Sequence, residues 1–218
     1  MRGKARPWPG WFITFEGGDG AGKTVQLRAL AAFLRKSHVT VLETREPGGS
    51  RLSEAVRELV LDPDHGNMSA RAELLLMLAA RAQHVEETIM PALQAGSVVL
   101  CDRYGDATYA YQHGGRGLDK GAVVSMHEFA ADGCKPDLTI LLDLDPNTAK
   151  GRMATRPGND TRIDAEPAAF HARVRQAYLD LAKREATRFR VLDASKSVGV
   201  IQDRIQTAVK QMGVVGRR

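Results

Sequence analysis

A glycine-rich segment near the N-terminus has the residue types and spacing that bind phosphate groups. The run Gly17-Gly18-Asp19-Gly20-Ala21-Gly22-Lys23-Thr24 fits G-x-x-x-x-G-K-[ST] and lies between an apolar stretch and a stretch with helical periodicity. Its glycines let successive backbone N–H groups turn toward one anion. The Lys23 amine can reach the β and γ phosphates, and the Thr24 hydroxyl can bind Mg²⁺. The segment predicts a nucleotide site; a glycine turn with a solvated lysine is the alternative.

Charged residues farther along the chain could serve a second, phosphate-bearing substrate. Asp102 and Arg103 follow an apolar stretch, where the carboxylate could hold Mg²⁺ through water and the guanidinium could neutralise a transferring phosphoryl group. Arg45 ends another such stretch. Arg81 lies in a long apolar helix, where a charge costs stability unless it finds a partner. The spacing leaves other roles open: a solvated turn for Asp102 and Arg103, a surface charge for Arg45, and a structural salt bridge for Arg81.

Composition and charge argue against several classes of protein. The guanine-reading N-K-x-D motif of GTPases is absent, and 218 residues leave little room for the power-stroke apparatus of a motor ATPase. The net charge of +5 comes from six basic residues in the terminal segments, without which 25 basic residues face 26 acidic ones. We therefore expect no nucleic-acid partner.

No apolar run reaches the roughly 18 residues of a membrane helix, and the N-terminus lacks a secretory signal. The chain has two cysteines, and we expect Cys101 to be a buried thiol rather than half of a structural disulfide. The sequence thus predicts a cytoplasmic protein with no membrane partner.

Short apolar, β-branched stretches alternate with helical ones, which is typical of a parallel sheet covered on both faces. The strands are predicted at 11–16, 39–44, 97–101, 138–144 and 188–193. Helices are predicted at 23–36, 51–61, 69–94 (capped by Ser69 and kinked near Pro91), 119–131, 146–155, 166–185 and 198–212. The pattern predicts an α/β three-layer sandwich of the P-loop NTPase type with a five-stranded parallel sheet. Its ligands would lie at the carboxyl ends of the strands, where the motifs fall.

The ordered set of motifs resembles the bacterial thymidylate kinases, from about residue 11 to about residue 208. The resembling segments are Glu16 to Thr24, Thr44 to Gly49, Ala79 to Gln83, Asp102 to Tyr104, Ala110 to Gln112, Gly114 to Gly117 and Arg162 to Asp164. The resemblance implies a homodimer that transfers a phosphoryl group from ATP, with Mg²⁺, to dTMP, giving ADP and dTDP. The predicted organisation is a basic tail at 1–10, one kinase domain at 11–212 with a short lid at about 151–163, and a tail at 213–218.

The resemblance also assigns roles around dTMP. The residues it places there are Asp19, Arg45, Pro47, Met77, Arg81, Arg103, Thr108, Tyr111 and Gln112. Arg45 and Arg103 would hold the acceptor phosphate, with Arg81 near base and phosphate. Tyr111 would pack beneath the deoxyribose and disfavour a 2′-hydroxyl, while Asp19 would approach the 3′-hydroxyl. Thr108 and Gln112 would hydrogen-bond around thymine or sugar, and Asp102 would join Thr24 at the metal.

Three further features are interpreted through the family resemblance. The loop positions from Gly18 to Ala21 contain no arginine, so the lid would supply the catalytic cation from Arg152, Arg156 or Arg162; a solvated charged loop is the alternative. Ala194 and Ser195 fall where the family wraps the adenine. The family usually has phenylalanine, stacked on thymine, four residues before the helix arginine, and here that position is Met77, whose thioether packs less rigidly.

Two other functions stay open from the sequence. One is a kinase of the same fold that acts on another nucleotide, such as a modified deoxyuridylate. The other is a non-catalytic nucleotide-binding regulator, which would bind ATP without monophosphate-dependent ADP release. A panel of monophosphates separates these possibilities.

Overall fold

A five-stranded parallel sheet forms the centre of the computed structural model, which describes residues 7–154 and 161–215. Its strands are β1 (Trp11–Glu16), β2 (Val41–Arg45), β3 (Val98–Asp102), β4 (Leu138–Asp143) and β5 (Phe189–Asp193). They lie in the order β2-β3-β1-β4-β5, and each neighbouring pair is parallel. The predicted sheet and fold class are confirmed.

Helices cover both faces of this sheet. They are α1 (Lys23–Lys36), α2 (Arg51–Leu61), α3 (Ala70–His84), α4 (Met90–Gln94), α5 (Gly105–Thr108), α6 (Lys120–Ala131), α7 (Pro146–Ala154), α8 (Ala168–Arg184) and α9 (Val198–Gln211). Successive side chains of β1 point to opposite faces of the sheet. Phe12 packs with Ile89 and Leu93 on one face, whereas Ile13 belongs to the cluster that contains α1 and α9 on the other. None of the described helices is long and apolar enough to cross a membrane.

The predicted helices are present, with ends that coincide with the prediction or differ from it by one or two residues. The Ser69 hydroxyl caps α3 by accepting from the Ala72 N–H at 3.2 Å. The irregularity expected near Pro91 takes the form of a π-helical turn, Val85–Ile89, between α3 and α4. Proline lacks the N–H that would continue the regular ladder, which is consistent with a wider turn immediately before it.

Among the elements that the sequence did not predict, the longest is α5 with the π-helical segment that continues it, Tyr109–Gly115, beside α8. Its glycines hid the helical pattern, and the structure shows why they are there. A Cβ on Gly114 would lie 2.5 Å from the Ala177 Cβ, and one on Gly115 would lie 2.5 Å from the Phe170 ring. Glycine therefore permits the close approach of this segment to α8.

The packed domain includes residues at both ends that the sequence assigned to the tails. The Gly10 N–H donates to the Leu93 carbonyl at 3.0 Å, and Trp8 packs against the core cluster that contains Phe12. At the other end, Val214 is buried in the cluster that contains α9. Apolar side chains thus extend the packed body beyond 11–212 at both ends.

Both cysteines are buried free thiols, as expected for Cys101. Burial raises the pKa of the Cys101 thiol well above its usual range, and the nearby carboxylates of Glu46 and Asp102 add to the shift. The thiol is therefore held in its neutral form.

Candidate active site

The glycine-rich loop joins β1 to α1 at the carboxyl edge of the sheet. Gly17, Gly20 and Gly22 have φ angles of 131°, 76° and 89°, which glycine adopts at little cost. A Cβ on Gly17 would lie 2.3 Å from the Leu142 carbonyl oxygen, so the neighbouring strand also requires glycine there. The Lys23 Nζ donates to the carbonyls of Gly17 (3.2 Å) and Gly18 (2.9 Å). The loop itself thus holds the amine beside a polar cavity of about 210 Å³, here called the phosphate cavity.

Two oxygen groups that could bind a metal ion lie side by side in the phosphate cavity. The Thr24 hydroxyl, in the first turn of α1, donates to the Asp102 Oδ2 at the end of β3, with 2.6 Å between the oxygens. Hydroxyl and carboxylate oxygens are ligands that Mg²⁺ prefers, with waters and phosphates completing its octahedron. The described residues contain no cluster of three or more His, Cys, Asp or Glu side chains, and a nucleotide-bound Mg²⁺ needs none. The Thr24 hydroxyl and the Asp102 carboxylate therefore fit Mg²⁺.

Arg103 lies between the loop and the rest of the site in an unusual backbone conformation. Its φ of 72° is left-handed, and its N–H donates to the Phe15 carbonyl at 3.0 Å. The guanidinium donates to the Gly17 carbonyl (3.0 Å) and to Asp19 Oδ1 (2.7 Å), and its carbon lies 4.9 Å from the Tyr111 ring centroid. Strained residues of this kind cluster at functional sites.

Asp19 is held ionised by its neighbours. Burial alone would raise the pKa of this carboxyl, but the charges of Arg103 and Lys23 outweigh it and hold the pKa well below its usual range. The Tyr111 hydroxyl also donates to Asp19 Oδ2 at 3.1 Å. Loop, arginine and tyrosine therefore form one connected charged group.

A second cavity of about 140 Å³, here called the acceptor cavity, lies on the other side of Arg103. Its lining residues are Asp19, Glu46, Pro47, Arg57, Leu61, Met77, Arg81, Arg103, Tyr104, Ala107, Thr108, Tyr111, Gln112, Thr161, Ile163 and Asp164. All the residues predicted to surround an acceptor are among them except Arg45. The structure thus gathers side chains from α3, the α5 segment and the loops after β1, β2 and β3.

Arg81 combines two roles that the sequence left as alternatives. Its guanidinium is buried, pairs with Glu46 Oε2 at 2.7 Å, and donates to the Thr108 hydroxyl at 2.8 Å. Burial disfavours the charge, but Glu46 more than compensates and raises the pKa of Arg81. The residue is therefore a structural ion-pair partner that also lines the acceptor cavity.

Met77 lies on the cavity side of α3 rather than in the core. It is half-buried and lines the acceptor cavity, one turn from Arg81. Leu74 and Leu78 instead pack into a cluster with Val123, as expected. The helix thus separates an apolar core face from a face that meets the ligand space.

Arg57 lines the acceptor cavity, where the resemblance placed Arg45, and Arg45 does not. Arg45 is exposed, pairs with Glu54 at 2.7 Å and lines the phosphate cavity but not the acceptor cavity. Arg57 lines both cavities and donates to the Pro47 carbonyl at 3.0 Å, yet sequence reasoning missed it. Burial and the charge of Arg45 lower the pKa of Arg57. Its signal was weak, because one arginine on an amphipathic helix is usually a solvated charge.

Two of the three predicted lid arginines, Arg152 and Arg162, lie within the described residues and have different surroundings. Arg152, on α7, donates to the Ala194 carbonyl at 3.0 Å, and both line a cavity beside Gly20 and Gly22 of the loop. Ser195, predicted with Ala194 at the adenine, is exposed, and its N–H donates to Asp193. Arg156 lies outside the described residues.

Arg162 does not lie on a free lid. Its side chain is buried and pairs with the buried Glu73 at 2.5 Å, while its Nε donates to the Val60 carbonyl at 3.0 Å. Ile163 is buried beside it, so the last residues of the lid predicted at about 151–163 pack against the domain. A long-range ion pair with α3, which local sequence could not reveal, occupies this guanidinium.

Comparison with known proteins agrees with this geometry. The family described as "Thymidylate kinase" matches residues 15–205. The thymidylate kinase of Cutibacterium acnes is 48% identical over 200 residues, covering 92% of this chain and 96% of that protein. That of Pseudomonas putida is 48% identical over 208 residues, covering 95% and 98%.

A solved structure gives the same result. The crystal structure of thymidylate kinase from Ehrlichia chaffeensis superposes with a TM-score of 0.75 at 31% identity, covering 92% of this chain and 98% of that one. The sequence and the fold of this chain thus both match thymidylate kinases over nearly its whole length. The chain belongs to the thymidylate kinase family.

Proposed function

We propose that this protein transfers the γ-phosphoryl group of ATP to dTMP, producing ADP and dTDP. The observation that carries the proposal is a shared wall: Asp19, Glu46, Arg57 and Arg103 line both the phosphate cavity and the acceptor cavity. In-line phosphoryl transfer needs donor and acceptor phosphates to meet at one charged boundary. Two adjoining cavities with cations between them provide that boundary.

The donor side acts by positioning and charge. The loop N–H groups and Lys23 would bind the ATP phosphates, while Thr24 and Asp102 would hold Mg²⁺ directly or through water. Bound Mg²⁺ supplies charge that neutralises the β and γ phosphate oxygens. Arg152 approaches the loop from α7 beside Ala194, which supports a role for it at the transferring group or the adenine. Arg156, which lies outside the described residues, is proposed beside it on the family resemblance alone.

On the acceptor side, cations meet the phosphate and polar groups meet the nucleoside. Arg103 and Arg57 form part of the shared wall and would bind the dTMP phosphate, with Arg45 approaching from the phosphate cavity. Tyr111, stacked against Arg103 and bonded to Asp19, would support the deoxyribose. The base would enter between Met77 and the polar side chains of Arg81, Thr108 and Gln112, beside Pro47.

A coupled ADP assay with a panel of monophosphates tests the proposal. We expect dTMP-dependent ADP release that requires Mg²⁺ and exceeds the rates with dUMP, dCMP and dGMP. ATP binding without monophosphate-dependent ADP release would instead indicate a non-catalytic regulator. A faster rate with another deoxynucleoside monophosphate would reassign the acceptor.

We also propose that the protein is a homodimer. Helices α3 and α6 pack against each other and leave apolar side chains in solvent: Leu75 is 57% exposed, Met126 42% and Phe129 90%. Such a patch is typical of an interface between subunits. In sedimentation velocity, the wild type should be a dimer, and Phe129→Asp should shift it toward monomer. A wild type that is monomeric at micromolar concentration would contradict this.

The product dTDP supplies dTTP for DNA synthesis, and we place the reaction in the cytoplasm.

A further inference from the structure

A fully buried carboxylate, Glu73, lies behind the acceptor cavity. It projects from α3 and accepts hydrogen bonds from three side chains. The Gln112 Nε2 lies 2.9 Å from its Oε1, while Arg116 Nη2 (2.9 Å) and Arg162 Nη2 (2.5 Å) lie near its Oε2. The Arg116 Nε lies between the two oxygens, 3.1 Å from Oε1 and 3.2 Å from Oε2. Burial would raise the pKa of Glu73, but the hydrogen bonds from Arg116, Gln112 and Arg162 outweigh it and lower the pKa. The group is therefore an ionised carboxylate, which can only accept.

This carboxylate determines the orientation of the Gln112 amide. The two ends of a glutamine amide have nearly the same shape but opposite hydrogen-bonding character. Turning the Gln112 oxygen toward Glu73 would place an acceptor against a buried anion, so the amide nitrogen must face Glu73. The amide oxygen makes no hydrogen bond to any residue that the structure describes, and Gln112 lines the acceptor cavity. The oxygen is thus left for the ligand.

Thr108, which also lines the acceptor cavity, can present a hydrogen-bond donor. The Thr108 hydroxyl accepts from Arg81 Nη1 at 2.8 Å, so its own proton can be donated into the cavity. A cavity with one acceptor beside donors matches an imide, in which an N3–H lies between two carbonyl oxygens, as in thymine and uracil. Cytosine presents an acceptor at N3 and a donor at its 4-amino group, and would leave buried groups unpaired.

We infer that Glu73 is a positioning residue for base selectivity: by holding the Gln112 amide nitrogen, it directs the amide oxygen to the N3–H of an imide base and so excludes cytosine. Glu73 acts through Gln112 and does not touch the substrate. The inference rests on the proposed function, because it assumes that the acceptor base enters this cavity.

The variant Glu73→Gln tests the inference because it keeps the shape and removes the charge. Its oxygen should take the Oε2 position, where Arg116 and Arg162 both donate and which the Arg116 Nε also reaches at 3.2 Å. Its new amide nitrogen then takes the Oε1 position and faces Gln112. Gln112 then turns over and presents a donor to the base. The measurement is kcat/KM for dTMP and for 5-methyl-dCMP, which differ only along the edge that Gln112 reads. We expect the dTMP preference to fall at least about tenfold, the value of one exchanged hydrogen bond.

Glu166→Gln is the matched control. Glu166 also pairs with Arg116 and also loses one negative charge, but the structure shows no contact between it and Gln112. It should keep the wild-type preference. If Glu73→Gln melts too low to assay, Glu73→Gln/Arg116→Gln, which removes one charge of each sign, is compared with Arg116→Gln by the same ratio.

The outcomes separate the inference from the function it rests on. A wild type that phosphorylates dTMP and rejects 5-methyl-dCMP, with a Glu73 variant that loses both rates by the same factor, would show that Glu73 only supports the fold and would overturn the inference. A wild type that accepts both nucleotides equally would also overturn it. A wild type without dTMP-dependent ADP release would overturn the proposed function itself.

Discussion

Replacing Met77 by phenylalanine tests whether the acceptor base packs on the cavity face of α3. Met77 lines the acceptor cavity and is half-buried, while its neighbours Leu74 and Leu78 pack in the core. A flat ring at this position can stack on a base, worth up to about 1 kcal/mol beyond area burial. At about 1.4 kcal/mol per factor of ten, the Kd for dTMP should fall up to about fivefold.

The same change should barely affect the ligand-free protein. Because the side chain points into a cavity, the ring need not displace core atoms, and we expect Tm to move by less than about 2 °C. Leu78→Phe is the matched control, since Leu78 is 6% exposed within the core cluster. Overpacking there costs about 1–3 kcal/mol, which lowers Tm by several degrees.

Calorimetric titration with dTMP, with melting curves of the free proteins measured in parallel, decides the matter. The reasoning predicts tighter dTMP binding for Met77→Phe with a wild-type Tm, and a lower Tm for Leu78→Phe. A Met77→Phe protein that melts as low as Leu78→Phe and binds dTMP with unchanged affinity would refute the stacking role.

Three further outcomes are expected. Lys23→Ala should lower kcat at least about 100-fold, a barrier increase of about 3 kcal/mol, with a melting curve close to wild type; near-normal turnover in the coupled ADP assay would disprove the loop assignment. Arg152→Ala or Arg156→Ala should lower kcat more than it weakens dTMP binding, and wild-type kcat in both would count against the lid. Burial and the charge of Arg81 lower the pKa of His127 to about 4, so the unfolded chain takes up a proton first and stability falls as the pH drops below about 6.5. In urea titrations at pH 7 and 4.5, His127→Gln should lose about 2 kcal/mol less than wild type over this interval, and equal losses would contradict the assigned shift.

Local patterns were enough to predict most elements and the donor side of the site. The loop from Gly17 to Thr24 carries its function in adjacent residues, and its setting between β1 and α1 follows from the apolar and helical periodicities that flank it. Asp102 could be placed near Thr24 because both follow strands whose carboxyl ends share one edge. The segment from Gly105 to Gly115 was missed because its helix depends on close packing against α8, which glycine permits and local propensity disfavours.

Sequence by itself determined the fold class, the phosphate-binding loop and the family, since each depends on residues near one another or on the order of motifs. Only the tertiary structure decided how the charges are paired. Arg162 was expected on the lid and lies instead against Glu73, 89 residues away along the chain. Arg57 lines the boundary of the two cavities only because α2 packs beside the loop after β2. A buried charge is stable only beside a partner, and the partner's position is set by packing between distant elements, which no local pattern records.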